Sequence, residues 1–263
     1  MPRGPRLDIP GVLQHVIFRG IERKEIFKDE KDYQQLLKQL SCLAGGEGVH
    51  IYAFTLMPNH AHMLVRPLNT SLSTFMRRLL TGYAVYFNRR HKRAGHLFQN
   101  RYKSFVVEED KYFLELVRYI HLNPVRAGII SDVKALSLWP YSGYAALMGK
   151  RRYSWYDPDR TLSFFGKSRT EARRRLTEFM RDGIAQGKRS DLSGGGLKRS
   201  LAVLPRQEKS NLQAYDERIL GDGAFVEAIL AELDKQEKKN KSKISLNTLL
   251  ERVASHYSIT KAV

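Results

Sequence analysis

Two runs rich in β-branched and aromatic residues, VHIYAFTL (49–56) and HAHMLVR (60–66), are separated only by Met57-Pro58-Asn59. Such runs favour strands, and a spacer this short joins them as a hairpin. An antiparallel pair must lie within a sheet, so the flanking segments have to be laid around it. LQHVIF (13–18) and YKSFVV (102–107) read as two further strands. Between the first strand and the hairpin, Asp29 offers a helix N-cap, with Glu30 and Asp32 favouring the start. Tyr33, Leu36, Leu37, Leu40 and Leu43 follow at helical spacing, and Gly45-Gly46 is expected to end that helix. A second helix runs from Leu72 to Arg90, with Leu72, Phe75, Met76, Leu79, Tyr83 and Phe87 on one side. A third, capped by Asp110, presents Tyr112, Phe113, Leu116, Val117 and Ile120, and Pro124 is expected to stop or turn it. The order is strand, helix, strand, strand, helix, strand, helix. It specifies an α+β chain: a ferredoxin-like βαββαβ antiparallel sheet with helices on one face, the other face left for a ligand, and a helical C-terminal region.

The division expected along the 263 residues is 1–145 for the sheet, 146–186 as a helical extension, 187–211 as a linker, and 212–263 as a second helical module. GKRSDLSGGGLKRS (187–200) has the Gly/Ser/Lys composition of a flexible connector, which leaves the last module free to move. Forty-five Lys and Arg face 27 Asp and Glu, a formal charge of +18. That balance points to a polyanion, most often nucleic acid. A single cysteine, Cys42, excludes an intramolecular disulfide framework and a multi-cysteine zinc finger. No apolar run is long enough to span a bilayer, and the N-terminus lacks the apolar core of a signal peptide. A cytoplasmic protein with no membrane partner is the expectation.

Three groups of residues carry chemistry. In a strand, residues i and i+2 share a face, so His60 and His62 stand side by side. They are either two ligands of one divalent ion or two partly exposed histidines on a sheet; Leu64 continues the same face and packs beside them. Tyr119 and Asn123 are four apart on a helix and share a face. Tyr119 is either a core aromatic or a nucleophile, and the Asn123 amide oxygen is a hard third ligand. An ion held by His60, His62 and Asn123 would polarise a phosphodiester oxygen while the Tyr119 phenolate attacks phosphorus. A phenol of pKa about 10 needs positive charge nearby to ionise, and Arg118, His121 and Arg126 are the candidates besides the ion. Lastly, YAVYFNRRHKRAGHLFQNRYK (83–103) interleaves aromatics with cations, the composition that follows a phosphate backbone and stacks unpaired bases. Phe87 and Phe98 are assigned to the core. Arg89, Arg90, Lys92, Arg93, Arg101 and Lys103 are assigned to phosphate contacts.

The segments HVIFRGIERKEIF (15–27), YAFTLMPNHAHMLVRP (52–67), YFNRRHKRAGHLFQ (86–99), LFQNRYKSF (97–105) and RYIHLNPVRAGI (118–129) together resemble the REP-associated tyrosine transposases, over roughly residues 5–145. These are domesticated relatives of single-tyrosine insertion-sequence transposases. The resemblance implies the His-hydrophobic-His nuclease fold, acting on single-stranded DNA with hairpin (REP-like) elements. It implies Tyr119 as nucleophile, His60, His62 and Asn123 as ligands of Mg²⁺ or Mn²⁺, and a 5′-phosphotyrosine intermediate with a free 3′-OH. Arg118 and Arg126, within the tyrosine motif, join the DNA-contact set. The middle residue of the histidine motif is the small Ala61, a departure that leaves the ligands intact. Mobile relatives act as dimers and domesticated ones as monomers, so a homodimer stays open.

YDERILGDGAFVEAIL (215–230) and SLNTLLERVASHYSIT (245–260) resemble the helical DNA-binding domain of the bacterial replication initiator DnaA. A recognition helix of that domain would fall beyond Val263, so the module reads either as a truncated DNA binder or as a small packing unit. The leading function is a metal-dependent single-strand DNA endonuclease and strand transferase. The alternative is a non-catalytic regulator that grips nucleic-acid hairpins. A hydrolytic zinc enzyme acting on a small substrate gives the charge and the Tyr-x-x-x-Asn helix no role.

Overall fold

The computed structural model describes residues 7–187 and 216–242, with residues 189, 192, 254 and 256. Strand β1 (Gln14–Arg19) is followed by a 3-10 turn at Ile21–Arg23, helix α1 (Glu30–Glu47), the hairpin β2 (Val49–Met57) and β3 (His60–Pro67), and helix α2 (Leu72–Arg90). Strand β4 (Lys103–Val107) then leads into helix α3 (Glu109–Arg126). The sheet order is β2-β3-β1-β4-β5, where β5 is Ile219–Leu220. Strands β1 to β4 pair antiparallel, which is the ferredoxin-like arrangement, and β5 joins β4 in parallel.

Local sequence accounts for most boundaries. The Asp29 carboxylate accepts from the backbone N–H groups of Lys31 and Asp32 at 3.0 and 3.3 Å, capping α1. The Ser71 hydroxyl does the same for α2, accepting from Thr74 N–H at 3.1 Å. Gly45-Gly46 does not end α1. The helix continues to Glu47 and stops at Gly48, which takes the left-handed conformation (φ 64°) that a glycine adopts without steric cost. Pro124 does not stop α3 either, because it sits in the last turn, which runs on to Arg126. The helix loses one hydrogen bond there, and Ala127 N–H still closes onto the Asn123 carbonyl at 2.9 Å.

The pleat divides β1 and β3 between two cores. Val16, Phe18, Ala61, Met63 and Val65 belong to the core built with α1 and α2, which includes Leu36, Leu40, Phe75, Leu79 and Tyr83. The residues between them face the other way, where Leu13, Ala53 and Leu64 pack with Phe113, Leu116, Val117 and Ile120 of α3. The two helices of the βαββαβ unit, α1 and α2, cover one face as expected, and the further helix α3 packs on the face expected to be left for a ligand. The physical reason lies in β2 and β3, whose residues are buried almost without interruption, as strands sandwiched between two layers are.

Residues expected as a separate helical extension pack into the α1/α2 core. Helices α4 (Val133–Leu136) and α5 (Gly143–Leu147), at the end of the expected first domain, supply Leu136 and Tyr144, and α6 (Asp159–Leu162) and α7 (Arg169–Asp182) of the extension supply Leu162, Leu176 and Met180. Tyr141 and Ser142 line the outer edge of β2, with Leu56 N–H donating to the Tyr141 carbonyl at 2.8 Å, which covers an otherwise open strand edge. The C-terminal segment also differs from the freely moving module expected. Beside β5, helix α8 (Gly223–Ser242) places Val226 and Ile229 in a third cluster with Leu7, Ile9, Val106 and Ile219. Most of the expected linker, and residues 243–263 apart from 254 and 256, lie outside the described residues.

Candidate active site

Strand β3 and helix α3 meet beside the α3-covered face of the sheet. The rings of His60 and His62 are 5.2 Å apart, and the Tyr119 ring stands edge-on to His62 at 5.8 Å. Asn123, one turn further along α3, lines the same cavity of about 670 Å³, together with Arg19, Arg101, Lys103 and Arg126. The four side chains singled out for chemistry thus converge on one space. Helical packing explains it: Leu116, Val117 and Ile120 hold α3 against Leu64, which turns Tyr119 and Asn123 along the sheet toward the two histidines.

Each imidazole uses its Nδ1 in a hydrogen bond. His60 Nδ1 lies 2.6 Å from Asn59 Oδ1, and His62 Nδ1 lies 3.0 Å from His15 Nε2. His15 in turn has its Nδ1 3.1 Å from the Leu192 carbonyl. Among the described residues, no hydrogen bond involves the Nε2 atoms of His60 and His62. Burial, reinforced by Arg19, lowers the His60 pKa from 6.5 to about 4. Burial and the neighbouring His15, His60 and Arg19 hold His62 well below its usual value. Both rings are therefore neutral at pH 7, the form in which imidazole binds a metal. The Asn123 amide nitrogen is buried without a hydrogen-bond partner among the described residues. The Asn123 amide oxygen is a hard donor atom and the two neutral imidazoles are nitrogen donors on the same cavity, so the residues present suit a divalent ion. Among the described residues, no three His, Cys, Asp or Glu side chains gather in a way that could hold a metal. The candidate set is two imidazoles and one amide.

The cations divide sharply. Arg126 lies over the Tyr119 ring, 5.6 Å from its centroid, and donates from Nη2 to the Gly183 carbonyl at 3.1 Å. Its Nε and Nη1 are buried without a partner among the described residues, and burial lowers its pKa. Arg101 and Lys103 are exposed on the cavity wall. Arg118 is a correction: it is buried, paired with Glu115 at 2.6 Å and stacked over Phe179 at 4.1 Å, so it belongs to the contact with α7 and is withdrawn from DNA. Arg90 is likewise engaged with Asp29 and Asp32, both at 2.5 Å. Arg93 donates to Asn88 at 2.9 Å and to the His96 carbonyl at 3.3 Å. Arg89 and Lys92 are exposed and are not among the residues lining this cavity. His121 is wholly buried against Tyr144 and does not line the cavity, which removes it as an aid to Tyr119 ionisation. Phe87 is in the core as expected, and Phe98 packs partly buried against it.

His15, Asn59 and Arg19 lie inside the segments that carry the family resemblance, but their spacing assigns them no chemistry. The strand register was the missing information: His15 pairs with Leu64 and Ile17 with His62, which puts His15 on the histidine face.

Residues 9–123 match the family model described as "Transposase IS200 like", a span that includes His60, His62, Tyr119 and Asn123. The chain is 29% identical over 103 residues to a Haemophilus influenzae protein assigned as a REP-associated tyrosine transposase; the match covers 35% of this chain and 57% of that one. The chain thus spans little more than half the length of that relative. A solved REP-associated tyrosine transposase bound to a REP hairpin superposes with a TM-score of 0.48 at 20% identity, covering 57% of this chain and 87% of the other. A Deinococcus radiodurans protein assigned as a transposase superposes with a TM-score of 0.32 at 20% identity, covering 44% and 94%.

Proposed function

We propose that this transposase-like chain nicks and rejoins single-stranded DNA near hairpins through a covalent 5′-phosphotyrosine at Tyr119. The observation that carries the reading is that Tyr119, Asn123, His60 and His62 line one cavity together with Arg19, Arg101, Lys103 and Arg126. A Mg²⁺ or Mn²⁺ ion held by His60, His62 and Asn123 would supply Lewis-acid polarisation of the scissile phosphate. The Arg126 guanidinium over the Tyr119 ring puts positive charge beside the proposed nucleophile. Arg19, Arg101 and Lys103 provide positive charge for the flanking phosphates. The Tyr119 oxygen, having given up its proton to solvent, attacks phosphorus. The bond from phosphorus to the 3′ oxygen breaks, and that oxygen leaves as a protonated 3′-OH. The reverse attack, by the same or another 3′-OH, reseals a strand and restores the phenol. The ester stores the energy of the broken bond, so rejoining needs no nucleotide cofactor.

The test is a denaturing gel with a hairpin oligonucleotide labelled at its 3′ end, in Mg²⁺ or Mn²⁺. The wild-type chain forms an adduct that carries the label. Tyr119→Phe forms none while retaining affinity in a native gel. An adduct in Tyr119→Phe assigns the nucleophile elsewhere. Binding with no cleavage in Mg²⁺, Mn²⁺ or Zn²⁺ makes the chain a hairpin-binding regulator instead.

A further inference from the structure

We infer that His15 and Asn59 are positioning residues that fix the tautomers of His62 and His60, each through a hydrogen-bond relay ending on a backbone carbonyl. The inference rests on the proposed cation site and deepens it. The direction of each relay follows from its far end, because a carbonyl oxygen only accepts. The Leu192 carbonyl lies 3.1 Å from His15 Nδ1, so that nitrogen carries the proton of the neutral ring. His15 Nε2 is then an acceptor, and His62 Nδ1–H must donate across the 3.0 Å between them. The His62 Nε2 is left with its lone pair. The second relay has the same logic. Asn59 Nδ2 donates to the Arg23 carbonyl at 3.1 Å, which orients the amide and leaves Oδ1 facing His60. His60 Nδ1–H donates to that oxygen at 2.6 Å, and its Nε2 also keeps its lone pair. Both candidate ligands therefore present a bare Nε2, with the ring angle set from behind. Outer partners of this kind raise ligand basicity and cost about 10- to 100-fold in metal affinity when removed.

The arrangement also gives His15 a reason to be wholly buried in the sheet. It stacks on His62 with ring centroids 5.3 Å apart and stands edge-on to Tyr119 at 5.9 Å. An apolar residue would pack there equally well but could not accept the His62 proton. Leu192 is itself buried in the cluster with Leu13 and Leu64, so residue 192, far along the chain, meets the histidine face both by packing and through this ring.

The direct test is nitrogen-15 NMR of the metal-free chain labelled at histidine, with Mn²⁺ affinity measured separately by calorimetry. In the wild-type chain the His62 and His60 protons reside on Nδ1. His15→Leu moves the His62 proton toward Nε2 and weakens Mn²⁺ binding about 10- to 100-fold. His15→Gln, whose amide both accepts and donates, restores the tautomer and most of the affinity. The inference is overturned if wild-type His62 carries its proton on Nε2, or if His15→Leu binds Mn²⁺ as tightly as wild type. The wild-type spectrum decides the relay even if His15→Leu does not fold. Failure of the cation site registers separately, as unchanged Mn²⁺ affinity in His62→Ala.

Discussion

At the scale of single residues, Arg126 is the cation whose role is sharpest. Two of its nitrogens are buried without a partner among the described residues, and the third holds the Gly183 carbonyl, so the guanidinium is anchored over Tyr119. Arg126→Gln is expected to slow adduct formation about 10²-fold, as loss of a preorganised charge-stabilising donor does. Affinity for the oligonucleotide should change far less. Single-turnover rates at saturating protein check this, and an unchanged rate would remove Arg126 from the chemistry. His121 makes the contrasting case. It is buried with neither ring nitrogen bonded among the described residues, and burial lowers its pKa from 6.5 to about 3. His15 and His60 are held at about 4. As pH falls below 6.5, the unfolded chain takes up protons on these rings before the folded chain does. Stability of the metal-free chain is therefore lost progressively between pH 6.5 and about 4 to 3. His121→Leu removes one such ring and two unsatisfied nitrogens, so it should raise the melting temperature, and more at pH 5 than at pH 8. Thermal melts at the two pH values measure it, while adduct formation stays at the wild-type level. The four residues of the candidate site were legible as candidates because spacing in a strand and in a helix is a local property. His15 and Asn59 were not, because their roles depend on which strand lies beside which, and on carbonyls at residues 192 and 23.

Among the elements, α3 decides whether the site exists. It carries Tyr119, Asn123 and Arg126, and it is held between the sheet and the end of α7. Gly183 closes that contact: a Cβ there would lie 2.4 Å from Arg118 Cδ and 2.9 Å from Leu122 Cδ1. Arg118 is held by its pair with Glu115 and Leu122 is fully buried, so neither can swing clear and Gly183→Ala has to displace α3 or α7. A loss of about 1–3 kcal/mol is expected, the usual cost of overpacking, together with slower adduct formation. Urea unfolding and the adduct assay measure the two effects. Element boundaries were readable where a side chain writes them locally, as Asp29 does for α1 and as the apolar stripe does for α2. They were misread where a stronger signal lay one turn away. Gly48 in the left-handed conformation ends α1 beyond the Gly45-Gly46 pair, and a proline in a last turn costs α3 only one bond. The covering of the second sheet face was present in the sequence too. The near-continuous apolar character of β2 and β3 is what strands buried on both sides require, and the His-x-His alternation masked it.

Over the whole molecule, the segments after residue 145 close the structure around the sheet. Leu147, Leu162, Leu176 and Met180 complete the larger core, and β5 with α8 covers the β4 edge. Composition could announce helices there but not their docking, because the partner surfaces belong to other elements far off in the chain, as β4 does for β5. The charge of +18 bears on function at this scale. If Arg19, Arg101, Lys103 and Arg126 each meet a phosphate, the logarithm of affinity for single-stranded oligonucleotide should fall against the logarithm of salt with a slope of about −3. Arg101→Gln should reduce that slope by about 0.7. Fluorescence anisotropy across a salt series measures both, and a slope near zero would place binding outside this cavity.

The most direct measurement is to trap the adduct on a hairpin oligonucleotide in Mn²⁺, digest the protein, and locate the modified residue by mass spectrometry. A nucleotide joined through a phosphodiester to the Tyr119 side chain is the result predicted. Attachment to any other residue, or cleaved DNA with no protein-linked product at any time point, would contradict the account.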